Sequence, residues 1–194
     1  MIKLVFATAN QNKVIEIDNL LPETILLTSL KELGQKKDIP ETSKTIEGNA
    51  VQKANFITDK FNVNCFADDT GLEINALKGE PGVNSARYAG SEKDADLNIK
   101  KVLQNMDGIT KRGAQFKTVI ALNLNGEQHL FFGVVKGTIR KQRIGQNGFG
   151  YDPIFEPENC GRTFAEMTLE EKNKYSHRAR AFNKMIRFLS SKAN

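Results

Sequence analysis

Apolar residues recur along the chain in two rhythms, and the switches between them predict its elements. Residues 2–8 form an apolar, β-prone run, and Ala9-Asn10-Gln11-Asn12 turns the chain. Val14, Ile17, Leu20 and Leu21 then recur at helical spacing up to Pro22, so the opening reads as strand, tight turn, helix. Ile25-Leu26-Leu27 makes a short second strand. Residues 34–47 are polar, contain Gly34 and Pro40, and predict a loop that opens near Glu47 into a helix through about Phe61. A strand over 63–68 follows, then another over 72–77. Gly79-Glu80-Pro81-Gly82 is a turn cluster, and residues 85–90 show no strong period. Leu97, Val102, Leu103 and Met106 predict a helix over 94–106. Residues 114–124 alternate, with Phe116, Ile120, Leu122 and Leu124 on one face, and Asn125-Gly126 predicts a hairpin turn into a strand over 130–135. Thr168-x-x-Glu171 reads as a capping box, and a helix from about Ser176 to Ser190 closes the chain. Strands joined by helical crossovers and also by a hairpin predict an α/β fold with a mixed sheet.

Composition narrows the classes. A length of 194 residues suits one domain, or one domain of two lobes, and 39% hydrophobic with 26% charged residues is the profile of a soluble globular protein. No apolar run approaches the about 18 to 20 residues of a membrane span, and the amino terminus lacks the pattern of a signal peptide. A cytoplasmic protein without a membrane partner is the expectation. Cys65 and Cys160 make no zinc spacing, and Cys65 reads as a small core residue. With only His129 and His177 present, a histidine cage is excluded, so any metal must take oxygen ligands, which points to Mg²⁺ or Mn²⁺. The net charge of +5 weakly favours an anionic partner such as nucleotide, phosphate or nucleic acid. The basic residues are scattered rather than gathered on one element, which argues against a nucleic-acid binder.

Four segments carry candidate chemistry. Ala67-Asp68-Asp69-Thr70-Gly71 places two adjacent carboxylates after an apolar run. Side chains alternate on a strand, so the pair is not expected to face one core, and two carboxylates at a strand end suit Mg²⁺ binding and proton abstraction from water. A plain polar turn is the alternative. The turn Thr8 to Lys13 offers backbone N–H groups and a lysine to a phosphate, unless Thr8 or Asn10 merely caps the helix. Gly148-Phe149-Gly150-Tyr151-Asp152 lets the backbone approach a ligand closely while a ring on Phe149 or Tyr151 stacks on a planar base and Asp152 accepts a base N–H. The same aromatics could instead tuck into the core. Ser176-His177-Arg178 puts cations at the start of a helix, where its dipole disfavours them unless an anion or a base acceptor docks there, and Lys172 adds a donor.

Together these blocks resemble the inosine triphosphate pyrophosphatase family, diphosphatases that remove non-canonical purine nucleoside triphosphates. The resemblance is carried by Thr8-x-Asn10-x-x-Lys13, by Ala67-Asp68-Asp69-Thr70-Gly71-Leu72 and by Pro81-Gly82-x-x-Ser85-Ala86-Arg87-Tyr88-Ala89-Gly90. It continues in Gly148-Phe149-Gly150-Tyr151-Asp152-Pro153-Ile154-Phe155 and Lys172-x-x-x-Ser176-His177-Arg178, so it covers nearly the whole chain in the family's order. It implies an elongated α/β molecule of two lobes, a single domain over 1–194, around a long mixed sheet with the site in the cleft, and a homodimer. It implies Mg²⁺-dependent hydrolysis of ITP, dITP and XTP to the monophosphate and pyrophosphate, with one or more Mg²⁺ per subunit. Thr8, Asn10 and Lys13 would then hold the triphosphate, and Asp69 would be the base and a metal ligand with Asp68 beside it. Thr70 would touch the substrate, and Phe149, Gly150, Tyr151, Asp152, Lys172, His177 and Arg178 would form the purine pocket. One departure stands out. Where many members carry two acidic residues before Asn-Ala, this chain has Glu47-Gly48-Asn49-Ala50, so either Glu47 turns in as a substitute metal ligand or water fills the place.

Asp69-Thr70-Gly71 also spells the aspartic-protease signature, but that enzyme needs two facing loops in an all-β frame, and this chain has one copy amid strong helices. The contiguous Asp pair fits an Asp-x-Asp phosphatase equally poorly. A non-enzymatic nucleotide binder would have no use for the Asp pair near a phosphate site.

Overall fold

Strand β1 (Ile2–Phe6) buries Leu4, Val5 and Phe6 and runs parallel to β2 (Ile25–Ser29) on one side and to β3 (Cys65–Ile74) on the other. The computed structural model describes residues 1–192. Helix α1 (Gln11–Asp18) links β1 to β2 and starts where Asn10, in extended backbone, accepts the N–H groups of Asn12 and Lys13 at 3.0 and 3.4 Å. Helix α2 (Ile46–Phe61) begins at Thr45, whose hydroxyl accepts the Gly48 N–H, and ends at the left-handed Asn62. Glu47 in its first turn complements the helix dipole.

The remaining elements are β4 (Pro81–Gly82), α3 (Ala95–Asn105), β5 (Gly113–Leu124), β6 (Glu127–Ile139), β7 (Phe155–Pro157), α4 (Leu169–Tyr175) and α5 (His177–Lys192). The sheet runs β2-β1-β3-β5-β6-β7, with β4 antiparallel to β3 and β7 antiparallel to β6, so the expected mixed α/β sheet is present. Asn125 and Gly126, at positive φ, join β5 to β6 as expected of this pair. Thr168 and Glu171 form the expected capping box on α4, and Thr163 with Glu166 forms a second one.

The chain divides into two compact units. Unit one comprises residues 1–69, 118–133 and 178–194, of which 178–192 are described; unit two comprises 70–117 and 134–177. Unit one is organised around Leu4, Phe6, Ile17, Phe66, Ile120, Leu122, Phe182 and Met185. Phe66 stacks on Phe6 at 4.5 Å between ring centroids and meets Phe182 at 6.0 Å. Unit two is organised around Leu72, Ile99, Val102, Phe116, Tyr151, Phe155 and Phe164. No described helix is long and apolar enough to cross a membrane.

One expectation fails. The sequence predicts separate strands over 63–68 and 72–77 with the Asp pair at the end of the first, whereas β3 runs unbroken through Asp68, Asp69, Thr70 and Gly71. Both carboxylates are buried, Asp68 at 1% and Asp69 at 9% exposure. Alternation sends them to opposite faces of the sheet, and each face supplies its own cations, so a strand interior holds two charges that would break it if unpaired.

Truncating the ring at the centre of unit one should be costly. We expect Phe66→Ala to lower unfolding free energy by about 3–5 kcal/mol, measured by urea denaturation. A loss below about 1 kcal/mol would show that the stack on Phe6 is not central to packing.

Candidate active site

On one face of β3, Asp68 lies between two cations, the half-buried Lys13 and the buried Arg178. Lys13 of α1 donates to its Oδ1 at 2.9 Å, and Arg178 of α5 donates through Nε to its Oδ2 at 2.9 Å. The guanidinium also binds Glu16 of α1 through Nη1. Burial alone would raise the Asp68 carboxyl, but Lys13, Arg178 and Lys53 outweigh it, and the group is held well below the usual carboxylate range. Arg178 is correspondingly held above its ordinary value, because Asp68 and Glu16 overcome its own desolvation. Lys13 goes the other way. Desolvation and the neighbouring cations Lys53 and Arg178 exceed the pull of Asp68 and lower it.

On the opposite face, Lys53 of α2 donates to Asp69 Oδ1 at 3.1 Å and to Glu41 Oε1 at 2.8 Å. Asn49, one helical turn earlier, donates to Asp69 Oδ2 at 3.4 Å. Burial is the largest influence on Asp69, and Lys53 and Lys13 offset it only in part, so its carboxyl stays above the usual value. Lys53 itself is raised, since Asp69, Asp68 and Glu41 outweigh its desolvation. Around the pair, Lys13 and Arg178 meet Asp68, and Arg178 also meets Glu16. Asp69 and Glu41 share the Lys53 ammonium. Among the described residues, no cluster of three or more Asp, Glu, His or Cys side chains is arranged to hold a metal. Two carboxylates already bridged by a cation are the donor set that fits one, with further oxygens to come from elsewhere.

Unit two holds a second group. Asp152 Oδ2 accepts the Lys172 ammonium at 2.6 Å and the Phe149 N–H at 2.8 Å. The same ammonium lies 4.9 Å from the centre of the Phe149 ring and 5.5 Å from that of Phe164. Gly148 is required here. Its φ is +73°, and a Cβ would lie 2.1 Å from the Asp152 carboxylate oxygen. The loop is fastened from below by Gln146 and Asn147, whose N–H groups donate to the Ala165 carbonyl. His177 is buried and stacks on Phe116 at 4.6 Å. A cavity of about 510 Å³, lined by residues of the 145–150 loop with Asp96 and Arg143, adjoins this group.

Several expected residues take places the sequence did not show. Tyr151 is turned into the core, its hydroxyl donating to the Ser85 carbonyl at 2.7 Å, so of the two aromatics only Phe149 keeps a partly open ring. Asn10 caps α1, and Thr8 Oγ1 accepts the Asn10 N–H. Asp68 has each carboxylate oxygen on a cation, which leaves Asp69 as the carboxylate of the pair with a charge to share. Arg178 is on Asp68 and Glu16 in unit one, apart from the Lys172–Asp152 pair of unit two. Glu47 stays half-buried in the first turn of α2, and the glutamate that meets Lys53 beside Asp69 is Glu41. Thr70 and Gly150 are half-buried. The block at 81–90 frames the end of β3: Ser85 Oγ accepts the Leu72 N–H and donates to the Gly82 carbonyl. Cys65 is a core residue, its thiol pushed up to about 12 by burial.

Sequence reasoning missed Lys53, Glu41, Glu16 and Asn49. A signal existed for three. Asn49 and Lys53 fall on the buried stripe of α2 with Ile46, Ala50, Ala54 and Ile57, and Glu16 lies one turn after Lys13 beside the buried Ile17. A charge on an apolar stripe demands a buried partner. Glu41 lies in a polar loop and gave none.

The sequence model of the Ham1 family matches residues 4–188. A dITP/XTP pyrophosphatase of Flavobacterium johnsoniae is 54% identical over 189 residues, covering 97% of this chain and 98% of that one. A dITP/XTP pyrophosphatase of Porphyromonas gingivalis is 47% identical over 97% and 98% of the two chains. The solved Ham1 protein of Staphylococcus aureus superposes with a TM-score of 0.89 at 39% identity, covering 98% of this chain and 99% of that one. A HAM1 protein of Coxiella burnetii gives 0.90 at 37% identity, over 98% and 100%.

Asp68 should carry a pH-dependent share of stability. Its folded pKa is depressed, so its contribution is complete above the unfolded carboxylate value near about 4 and is lost as pH falls below that. We expect Asp68→Asn, which leaves Lys13 and Arg178 facing a neutral amide, to cost about 3–5 kcal/mol at pH 7. Urea midpoints between pH 7 and pH 3 should then fall less steeply in the variant than in the unmodified protein. Parallel profiles would refute the assignment.

Proposed function

Since the chain belongs to the Ham1 family, we propose that it hydrolyses the non-canonical purine nucleoside triphosphates ITP, dITP and XTP to monophosphate and pyrophosphate, clearing them from the nucleotide pool. The observation that carries this reading is Asp69: a buried carboxylate on a central strand, held above its usual value by burial and next to a second carboxylate across a shared lysine.

Asp69 is the general base in this reading and takes a proton from the water that attacks phosphorus. Lys53 holds its carboxylate in place, and Asn49 sets the second oxygen. Asp69 and Glu41 are the residues that would hold Mg²⁺, which when bound neutralises phosphate charge and polarises the bond to be broken. Asp68 is a fixed anchor rather than a ligand. It positions Lys13, the cation nearest the phosphate-binding turn, and we assign Arg178 first to holding Asp68.

Base recognition falls to unit two. Phe149 supplies a ring face, and Lys172 and His177 supply donors for the O6 acceptor of hypoxanthine and xanthine. Adenine presents an N6 amino donor at that edge, and a donor facing a donor in a site built for hydrogen bonds discriminates by up to about 10⁴-fold. A homodimer working in the cytoplasm belongs to the same reading, on the strength of the family resemblance.

Two measurements test it. With Mg²⁺, pyrophosphate release from ITP and XTP should far exceed that from ATP, and EDTA should abolish it; equal turnover of ATP and ITP would leave only a general nucleotide diphosphatase. Asp69→Asn should fold and lose at least about a hundredfold in activity. Without Mg²⁺, the Asp69 carboxyl should titrate above the ordinary carboxylate range, read by carbon-13 NMR of the labelled side chain. Titration at or below about 4 would show that burial does not outweigh Lys53 at this residue.

A further inference from the structure

Glu41 reaches the shared lysine because the loop that carries it is fastened to one face of α2. Thr42 and Gln52 exchange two hydrogen bonds: the Thr42 N–H donates to Gln52 Oε1 at 2.9 Å, and Gln52 Nε2 donates to Thr42 Oγ1 at 2.9 Å. The Ser43 N–H donates to Asn49 Oδ1 at 2.9 Å, and Asn49 also bonds Asp69. Thr45 caps the helix through the Gly48 N–H. Beneath these bonds the loop meets the helix at Gly48. A Cβ there would lie 1.9 Å from Ser43 Oγ, 2.8 Å from Ser43 Cβ and 2.9 Å from Thr45 Oγ1. A side chain at 48 must therefore displace Ser43 and Thr45, which follow directly on the Thr42 clamp, and the residue before that clamp is Glu41 itself.

We propose that the Gly48–Gln52 face of α2 is a seat that sets the Glu41 carboxylate for a divalent cation, with Gly48 and Gln52 as positioning residues. The inference rests on the reading that Glu41 and Asp69 hold that cation. It also gives the glycine at 48 a physical role: where the second acidic side chain is absent, the space it leaves is taken by Ser43 of the loop that carries Glu41. Residues that orient a metal ligand without touching the ion typically change metal affinity by 10- to 100-fold.

The test is Mn²⁺ binding to the full-length protein without nucleotide, followed by electron paramagnetic resonance, with circular dichroism confirming the fold of each variant. Glu41→Gln should weaken binding by about tenfold or more. Gln52→Met, similar in size but unable to make the paired bonds, should weaken it by about tenfold when Glu41 is present and add nothing to Glu41→Gln. Gly48→Ala should weaken it likewise, and Ser43→Gly in the same chain, which vacates the space the new Cβ needs, should restore most of the affinity. If Glu41→Gln leaves Mn²⁺ binding unchanged, the cation reading itself falls. If Glu41→Gln weakens binding but Gln52→Met does not, or weakens it equally without Glu41, the seat is refuted while the cation reading stands. Failure of Ser43→Gly to rescue Gly48→Ala removes Gly48 from the seat. Should Gly48→Ala not fold, the Gln52 pair decides alone.

Discussion

Two adjacent carboxylates in the middle of a buried strand constrain the rest of unit one. An isolated buried carboxylate is so unfavourable that it neutralises or unfolds its surroundings, so β3 can run through Asp68 and Asp69 only where lysine and arginine come to meet them. Alternation splits the demand between two faces. One side draws α1 and α5 inward through Lys13 and Arg178, and the other draws in α2 through Lys53. Helices remote in sequence are thus registered against one strand by charge as well as by the Phe6–Phe66–Phe182 packing.

The two carboxylates differ although they are neighbours. Asp68 is bound on both oxygens by cations, and its ionised form is locked in. Asp69 shares its lysine with Glu41 and remains above its usual value. Environments that push a pair of acids apart assign them different work, one as anchor and one as reactive group. An exchange of roles would require moving whole helices, since the face of the sheet decides which cations each residue meets.

Elements with a clear period were readable in the sequence: the strand–turn–helix opening, α2, α3, the Asn125-Gly126 hairpin and the closing helix lie close to where hydrophobic spacing places them. The break expected at Asp68 was misplaced because period and polarity say nothing about a partner 110 residues away, and Arg178 is that partner. Tyr151 shows the same limit. A tyrosine in a glycine loop looks exposed, yet its hydroxyl is satisfied by the Ser85 carbonyl and its ring is core. The resemblance named the Asp pair and Lys13, and the structure brings Lys13 onto Asp68. It was silent on Lys53 and Glu41, which became visible only once α2 and the 41–45 loop were folded against Asp69.

Strand β6 pairs with β7 over its last three residues, 137–139, and among the described residues no strand lies beside its earlier part on the side away from β5. Leu130 and Phe132 on that stretch are partly exposed, the combination of open backbone and apolar side chains on which foreign strands nucleate. Lys184 reaches from α5 to the Phe132 carbonyl at 2.6 Å. That bond occupies an acceptor an incoming strand would need and places a charge at its point of entry, so the closing helix also guards the sheet against self-association into aggregates.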